Sequence, residues 1–132
     1  MAYKETLTTQ SYDANADLSS SQYRIVKVAA DNSVNTSGGS TDDIIGVLQG
    51  TPESGSSAEV AVEGTTKVLA NGTLSAGDLV TSDSNGKAQK VVAVPDVSGG
   101  TLGDMVKILG KVVNGAGDAE YASVLIDKQI AG

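Results

Sequence analysis

The sequence predicts an all-β protein: a compact single-domain barrel or sandwich of about eight or nine short strands with an extended N-terminal arm. Short apolar runs alternate with clusters of Gly, Asn, Asp and Ser, a pattern typical of brief strands joined by tight turns. No segment sustains the 3.6-residue period of an amphipathic helix. Leu, Ile and Val make up 31 of 132 residues, which exceeds the ~20% below which chains tend to be disordered.

Residues 1–17 are polar and show neither helical nor sustained strand periodicity. We therefore interpret residues 1–17 as an N-terminal arm and residues 18–132 as the β-rich domain. Tyr3, Leu7 and Tyr12 are the apolar residues of this arm, and they are its candidate anchors on a partner. The alternative is a disordered terminus in which these three residues have no binding role.

The first half of the domain contains the candidate centre of the core. Tyr23–Ala29 is the first predicted strand, and the polar cluster Asp31–Ser40 is predicted to be a loop. Ile44–Leu48 is apolar at every position except Gly46, as expected of a strand that is buried on both faces. Glycine inside such a strand indicates a bulge or a close approach of another backbone.

The remaining strands are separated by Asn-Gly turns. In Ala58–Glu63 the valines alternate with Glu59 and Glu63, so one face of that strand is predicted to meet water or a partner. Asn71-Gly72 and Asn85-Gly86 are predicted turns, Asn114-Gly115 is predicted to begin the turn into Tyr121, and Pro95–Gly100 is predicted to be a loop. Further strands are predicted at Lys67–Ala70, Gly77–Thr81, Lys87–Val94, Val106–Val113 and Tyr121–Ile126, followed by a polar tail at Asp127–Gly132.

The composition argues against enzymatic chemistry. The chain has no His, Cys, Trp or Phe, so it lacks the usual general base, thiolate nucleophile and most aromatic platforms. Thr81, Asp83, Asn85 and Gly86 have the spacing of a calcium loop, but Val92 occupies the position of the bidentate Glu. We therefore interpret residues 83–86 as a hairpin turn. No catalytic residue, cofactor or metal site is expected.

Charge restricts the classes of partner. The net charge is −7, with Arg24 as the single arginine and eight scattered lysines. Nucleic acid and anionic membranes require clustered basic residues, so neither is expected as a partner. The N-terminal residues lack the apolar core of a signal peptide, which predicts a soluble protein made inside a cell. Because a Val-rich core without large rings buries modest area, we expect association with further copies or with a larger surface.

The order of four motifs resembles that of the small capsid decoration, or cement, proteins of tailed bacteriophages. The resemblance covers roughly residues 44–126, and the motifs are Ile45-Gly46-Val47, Glu59-Val60-Ala61-Val62-Glu63-Gly64, Gly77-Asp78-Leu79-Val80 with Asp83 and Gly86, and Leu109-Gly110-Lys111-Val112-Val113 leading to Val124-Leu125-Ile126. It implies a non-enzymatic virion protein, made in the host cytoplasm, that binds the major capsid protein on the outer surface of the expanded capsid and stabilises it. It also implies a homotrimer. Under this interpretation Tyr3, Leu7 and Tyr12 are the candidate capsid-binding residues, although residues 1–17 match no family arm.

Two other interpretations remain open. One is another virion surface part, such as a head fibre or fibre base. The other is a small β module that binds a ligand or acts as an adhesive.

Overall fold

The computed structural model describes residues 7–91 and 106–131, which form nine β-strands and no helix. The prediction of an all-β single domain is confirmed. The strands are β1 (Leu7–Ala14), β2 (Ile25–Ala30), β3 (Ser33–Thr36), β4 (Ile44–Leu48), β5 (Ser57–Leu69), β6 (Leu79–Ser82), β7 (Ala88–Lys90), β8 (Val106–Asn114) and β9 (Tyr121–Ala131).

Five of these strands close into a small barrel. Their order is β1, β3, β2, β4 and β5, and β1 pairs again with β5 to complete the ring. β1 runs parallel to β3, with Ala14 opposite Val34. It runs antiparallel to β5, with Tyr12 opposite Ala58. Closure removes the exposed strand edges that an open sheet would present along this part of the chain.

The other four strands continue the sheet from the second half of β5 in the order β9, β8, β6 and β7. We call these four strands the extension. β5 therefore belongs to both parts, with residues 57–64 pairing with β1 and residues 64–69 pairing with β9. The two parts meet at Gly64, which lies opposite both Leu7 and Ile126. Its φ of 96° lies in the left-handed region that glycine adopts without a steric cost.

Two apolar cores lie on opposite sides of the shared barrel strands. The core inside the barrel contains Ala14, Leu18, Val26, Val34, Leu48, Ala58 and Val60. The second core lies between the outside of the barrel and the extension, and includes Ile25, Val47, Ala61, Val68, Leu109, Val112 and Val124. Val47 and Leu48 are adjacent and fully buried in different cores, so β4 is buried on both faces, as its apolar run predicts.

Gly46 occupies a position where two backbones meet. A methyl group there would overlap the carbonyl oxygen of Ala61 on β5 and lie 2.9 Å from Cγ1 of Val60. The β2–β4 register also shifts beside it, since Val26 lies opposite Gly46 and Lys27 lies opposite Ile44. The sequence predicts a bulge or a close approach at this glycine, and the structure contains both.

Residues 83–86 form the predicted hairpin turn between β6 and β7. Oδ1 of Asp83 accepts hydrogen bonds from the backbone N–H groups of Asn85 and Lys87, both at 2.8 Å. Gly86 has a φ of 77°, and its carbonyl oxygen accepts a hydrogen bond of 2.7 Å from the N–H of Ile25. The turn therefore fastens the end of the extension to the start of β2.

The largest differences between the structure and the sequence prediction concern four strands. Leu7–Ala14 forms a barrel strand within the predicted arm, and Ser33–Thr36 forms a strand within the predicted loop. Two predicted strands are one continuous β5, and β9 extends to Ala131 through the predicted polar tail. β7 also ends at Lys90, before described Val91, whereas the predicted strand is Lys87–Val94. The boundary between an arm and a domain at residue 17 stays a prediction, and the loop predicted at residues 95–100 lies outside the described residues.

Candidate functional site

The structure places two of the three predicted capsid anchors on β1. Leu7 is 39% exposed at the start of the strand. Tyr12 is half-buried and packs against the apolar core inside the barrel. Tyr3 lies outside the described residues. Leu7 therefore lies on the surface, whereas Tyr12 also contributes to the fold.

A larger exposed apolar surface lies on the extension. We call it the outer face and define it by Lys67 on β5, Lys111 and Val113 on β8, and Tyr121 and Leu125 on β9. Val113, Tyr121 and Leu125 are 49%, 53% and 44% exposed. These are three of the five exposed large hydrophobic residues among those described. Exposed apolar groups that gather on one surface indicate an interaction site.

The strand register brings the residues of the outer face together. Leu125 lies opposite Thr65 of β5 on one side and Lys111 of β8 on the other. Lys111 in turn lies opposite Leu79 of β6, so a row of side chains crosses four strands. The neighbouring residues Val112 and Val124 are buried, because alternate side chains of a strand point to opposite faces. The outer face is the solvent side of a sheet whose other side is a core.

Two of the four tyrosines of the chain meet at one end of the outer face. The rings of Tyr23 and Tyr121 pack edge to face with their centroids 5.4 Å apart, and Nζ of Lys67 lies 5.9 Å from the centroid of Tyr23. Such aromatic and cation–π contacts are each worth about 0.5–1.5 kcal/mol. They hold the Tyr121 ring in a defined position.

The backbone of Tyr23 is held in an uncommon conformation. Its φ of 63° lies in the left-handed region, which is a genuine outlier for a bulky residue. Its N–H donates to the carbonyl oxygen of Leu48 at 2.8 Å, and its own carbonyl oxygen accepts from the N–H of Leu69 at 2.9 Å. These two bonds fix Tyr23 between β4 and β5 and so orient its ring toward Tyr121.

The acidic residues at the Tyr121 end of the outer face bond to nearby backbone groups. Oε1 of Glu120 accepts a hydrogen bond of 2.8 Å from the N–H of Gly117, and Oδ1 of Asp118 accepts one of 2.8 Å from the N–H of Gly72. Asp127, two residues beyond Leu125, is exposed at the other end. Between these ends, the charged residues of the outer face are Lys67 and Lys111. The face therefore carries positive charge on a chain whose net charge is −7.

A cleft of about 440 Å³ opens where β9 leaves β5. It is lined by Val62, Glu63, Gly64, Ile126, Asp127 and Lys128. Nζ of Lys128 donates to the carbonyl oxygens of Ile45 at 2.9 Å and Val62 at 3.0 Å. The ammonium group is thus occupied in bridging β4 and β5, and this cleft does not present it to a ligand.

Metal binding and a membrane-spanning helix are two further possibilities within residues 7–91 and 106–131. No group of three or more His, Cys, Asp and Glu side chains in these ranges is arranged to hold a metal ion. These ranges also contain no helix long and apolar enough to cross a membrane.

The sequence does not reveal the outer face directly, because its residues are of the types that also form ordinary strands. Tyr121–Ile126 is predicted as one strand, and hydrophobicity alone does not distinguish buried Val124 from exposed Leu125. Strict alternation supplies the missing signal: Ala122, Val124 and Ile126 form one face of the strand, and Tyr121, Ser123 and Leu125 form the other.

Comparison with known proteins shows a likeness in fold. No family model matches the chain, and no curated protein matches its sequence. The fold is similar to a solved structure described as the head fibre gp8.5 N base of bacteriophage phi29. The TM-score is 0.63 at 17% identity, and the match covers 92% of this chain and 95% of that one. At this identity the likeness shows a shared fold over nearly the whole of both chains.

Proposed function

We propose that this chain is a non-enzymatic structural protein of a phage virion, attached to the outer surface of the capsid as the base of a head fibre. One observation carries this proposal: the fold resembles that of a phage head fibre base over 92% of this chain and 95% of the other. The partner is the major capsid protein, and the site of action is the outside of the head.

The physical chemistry of the chain supports a role in attachment. The closed barrel is continued by four paired strands, and the outer face offers exposed apolar side chains instead of a deep pocket. A net charge of −7 disfavours capture by the packaged nucleic acid. Attachment then results from many weak contacts made at once, and joining subunits in a symmetric oligomer raises their avidity. We propose a homotrimer as that oligomer.

Capsid stabilisation as a cement protein is the second candidate function, favoured by the order of the four motifs between residues 44 and 126. The two functions predict different effects on the head. A cement protein raises the temperature at which filled heads release their DNA, whereas a fibre base binds without changing that temperature.

The test is co-sedimentation of the purified chain with expanded heads that lack it, measured as copies bound per head. Saturation at a symmetric copy number supports attachment to the capsid. Absence of binding at concentrations well above those of the heads contradicts it, and would favour a ligand-binding or adhesive module. DNA release on heating, measured with and without saturating protein, then separates the fibre base from the cement protein.

A further inference from the structure

We propose that the outer face is the surface that contacts the capsid, and that it binds an apolar patch of the major capsid protein bordered by carboxylates. This inference rests on the proposed function and deepens it by naming the binding surface and the chemistry of its partner. It differs from the expectation that residues of the N-terminal arm form the main contact.

The apolar part of the argument concerns where exposed hydrophobic groups gather. Leu7 and Val28 are the other two exposed large hydrophobic residues among those described, and each lies on a different barrel strand, β1 or β2. Val113, Tyr121 and Leu125 instead lie on the adjacent strands β8 and β9. Tyrosine is enriched among the residues that dominate binding energy at interfaces. The outer face therefore combines an aromatic anchor with aliphatic neighbours.

The outer face is also preorganised. β9 is paired with β5 on one side and β8 on the other, and the Tyr121 ring is packed against Tyr23. Ordering a backbone or a side chain on binding costs affinity. A face already ordered by two neighbouring strands avoids most of that cost.

The charge on the outer face indicates the chemistry of the partner. Lys67 and Lys111 flank the apolar residues, while Glu120 and Asp118 are bonded to backbone N–H groups of nearby turns. Charges across an interface are arranged so that their signs are complementary. A partner that buries Tyr121 and Leu125 therefore needs carboxylates opposite the two lysines.

The same charges disfavour a two-fold dimer in which the outer faces of two copies pack against each other. Two copies packed face to face through a two-fold axis would present the same patch to each other. When the axis passes between Lys67 and Lys111, these lysines of one copy meet the lysines of the other, which is repulsive. A carboxylate-bordered patch on the capsid has no such conflict.

A matched pair of variants tests the apolar part. Val113 on the outer face and Val28 on β2 are both 49% exposed, so Val113→Ser and Val28→Ser remove the same side chain from equally exposed strand positions. We expect Val113→Ser and Leu125→Ser each to weaken binding to heads by about tenfold, as loss of an interface anchor does. Val28→Ser should change it by less than about twofold. Thermal melts of all three variants check that each remains folded.

A charge-matched set tests the electrostatic part. Lys67→Glu and Lys111→Glu should each weaken binding to heads, and added salt should weaken binding of the wild-type chain more than that of these variants. Lys90→Glu is the control: Lys90 lies opposite Val80, whereas Lys111 lies opposite Leu79, so Lys90 and Lys111 are on opposite faces. It makes the same change in net charge but should leave binding near the wild-type value.

The outcomes separate this inference from the proposed function. If the wild-type chain binds heads and the outer-face variants bind equally well, the outer face is not the contact and the proposed function stands. If the wild-type chain does not bind, both fail. Sedimentation equilibrium of the chain without heads tests whether another copy of the chain occupies the outer face. Dissociation of an oligomer by Leu125→Ser would assign the outer face to self-association and overturn the inference.

Discussion

Lys128 on β9 and Val62 on β5 are joined by a hydrogen bond of 3.0 Å from the ammonium group to the backbone carbonyl oxygen. β4 and β5 pair only at Val47–Ala61 and Leu48–Val60 among the described positions, and β9 pairs with β5 as far as Gly64. The carbonyl group of Val62 lies between these two ladders. The ammonium group of Lys128 donates both to this carbonyl oxygen and to that of Ile45 on β4. Lys128 therefore bridges the gap between the barrel and the extension.

Replacing Lys128 with Met should reveal the strength of this bridge. The substitution keeps an unbranched chain but removes two exposed hydrogen bonds to carbonyl groups, which should lower the free energy of unfolding by about 0.5–1.5 kcal/mol. Lys90→Met is the control, since Lys90 is exposed and its ion pair with Asp78 spans 3.6 Å, so its loss should cost ~0.5 kcal/mol or less. Urea denaturation of both variants measures the difference. Equal stability losses would show that the bridge contributes nothing particular.

Lys128 should also give the stability a dependence on alkaline pH. Burial lowers the pKa of Lys128 below its ordinary value of 10.5, and the nearby charge of Glu63 partly opposes this effect. Between the lowered folded-state pKa and 10.5 the unfolded chain binds more protons at this residue, so its contribution to the free energy of unfolding rises with pH. Subtracting the pH profile of Lys128→Met from that of the wild type isolates the contribution. A difference that falls with pH would contradict it.

Gly46 offers a sharp test of the packing between β4 and β5. In Gly46→Ala the added methyl group meets the carbonyl oxygen of Ala61 and Cγ1 of Val60, so the strands must separate, at a cost of about 1–3 kcal/mol or more. Gly50→Ala is the matched control, because a methyl group there would have no atom within 4 Å. It should be neutral or stabilising by up to about 1 kcal/mol. A chemical denaturation curve of each variant would settle the comparison.

Individual residues show what the sequence could and could not predict. The two-sided burial of Ile44–Leu48 and the turn at Asn85-Gly86 could be predicted. Each is encoded by neighbouring residues, an apolar run in the first case and a residue that adopts positive φ in the second. β1 was missed because most of its side chains are polar and exposed, including those of Thr8, Gln10, Ser11 and Asp13. The strand is held by backbone hydrogen bonds, which leave no hydrophobic pattern in the sequence. The outer face was missed because exposure of Leu125 depends on which neighbours cover its strand. Whether Tyr3, Leu7 and Tyr12 bind the capsid stays a prediction.

Asp83 organises the β6–β7 turn through three hydrogen bonds, so its loss should be costly. Besides the backbone N–H groups of Asn85 and Lys87, its other carboxylate oxygen accepts a bond of 2.7 Å from Nδ2 of Asn71. Asp83 is 8% exposed. Asp83→Ala leaves these donors unpaired and should cost about 2–4 kcal/mol. Asp118→Ala removes one exposed bond to the N–H of Gly72 and should cost ~1 kcal/mol or less. Comparable losses in thermal melts would contradict this role of Asp83.

The two cores should unfold together, because the strands between them are shared. Leu48 is fully buried in the barrel core and Leu109 in the second core, so truncating either to Ala should cost about 2–5 kcal/mol. Since β4 and β5 contribute to both cores, neither core can open without exposing residues of the other. Calorimetry of Leu48→Ala and Leu109→Ala should therefore each show one transition whose calorimetric and van't Hoff enthalpies agree. Two resolved transitions in either variant would mean that the barrel and the extension are separate folding units, and that Gly64 joins them without coupling them.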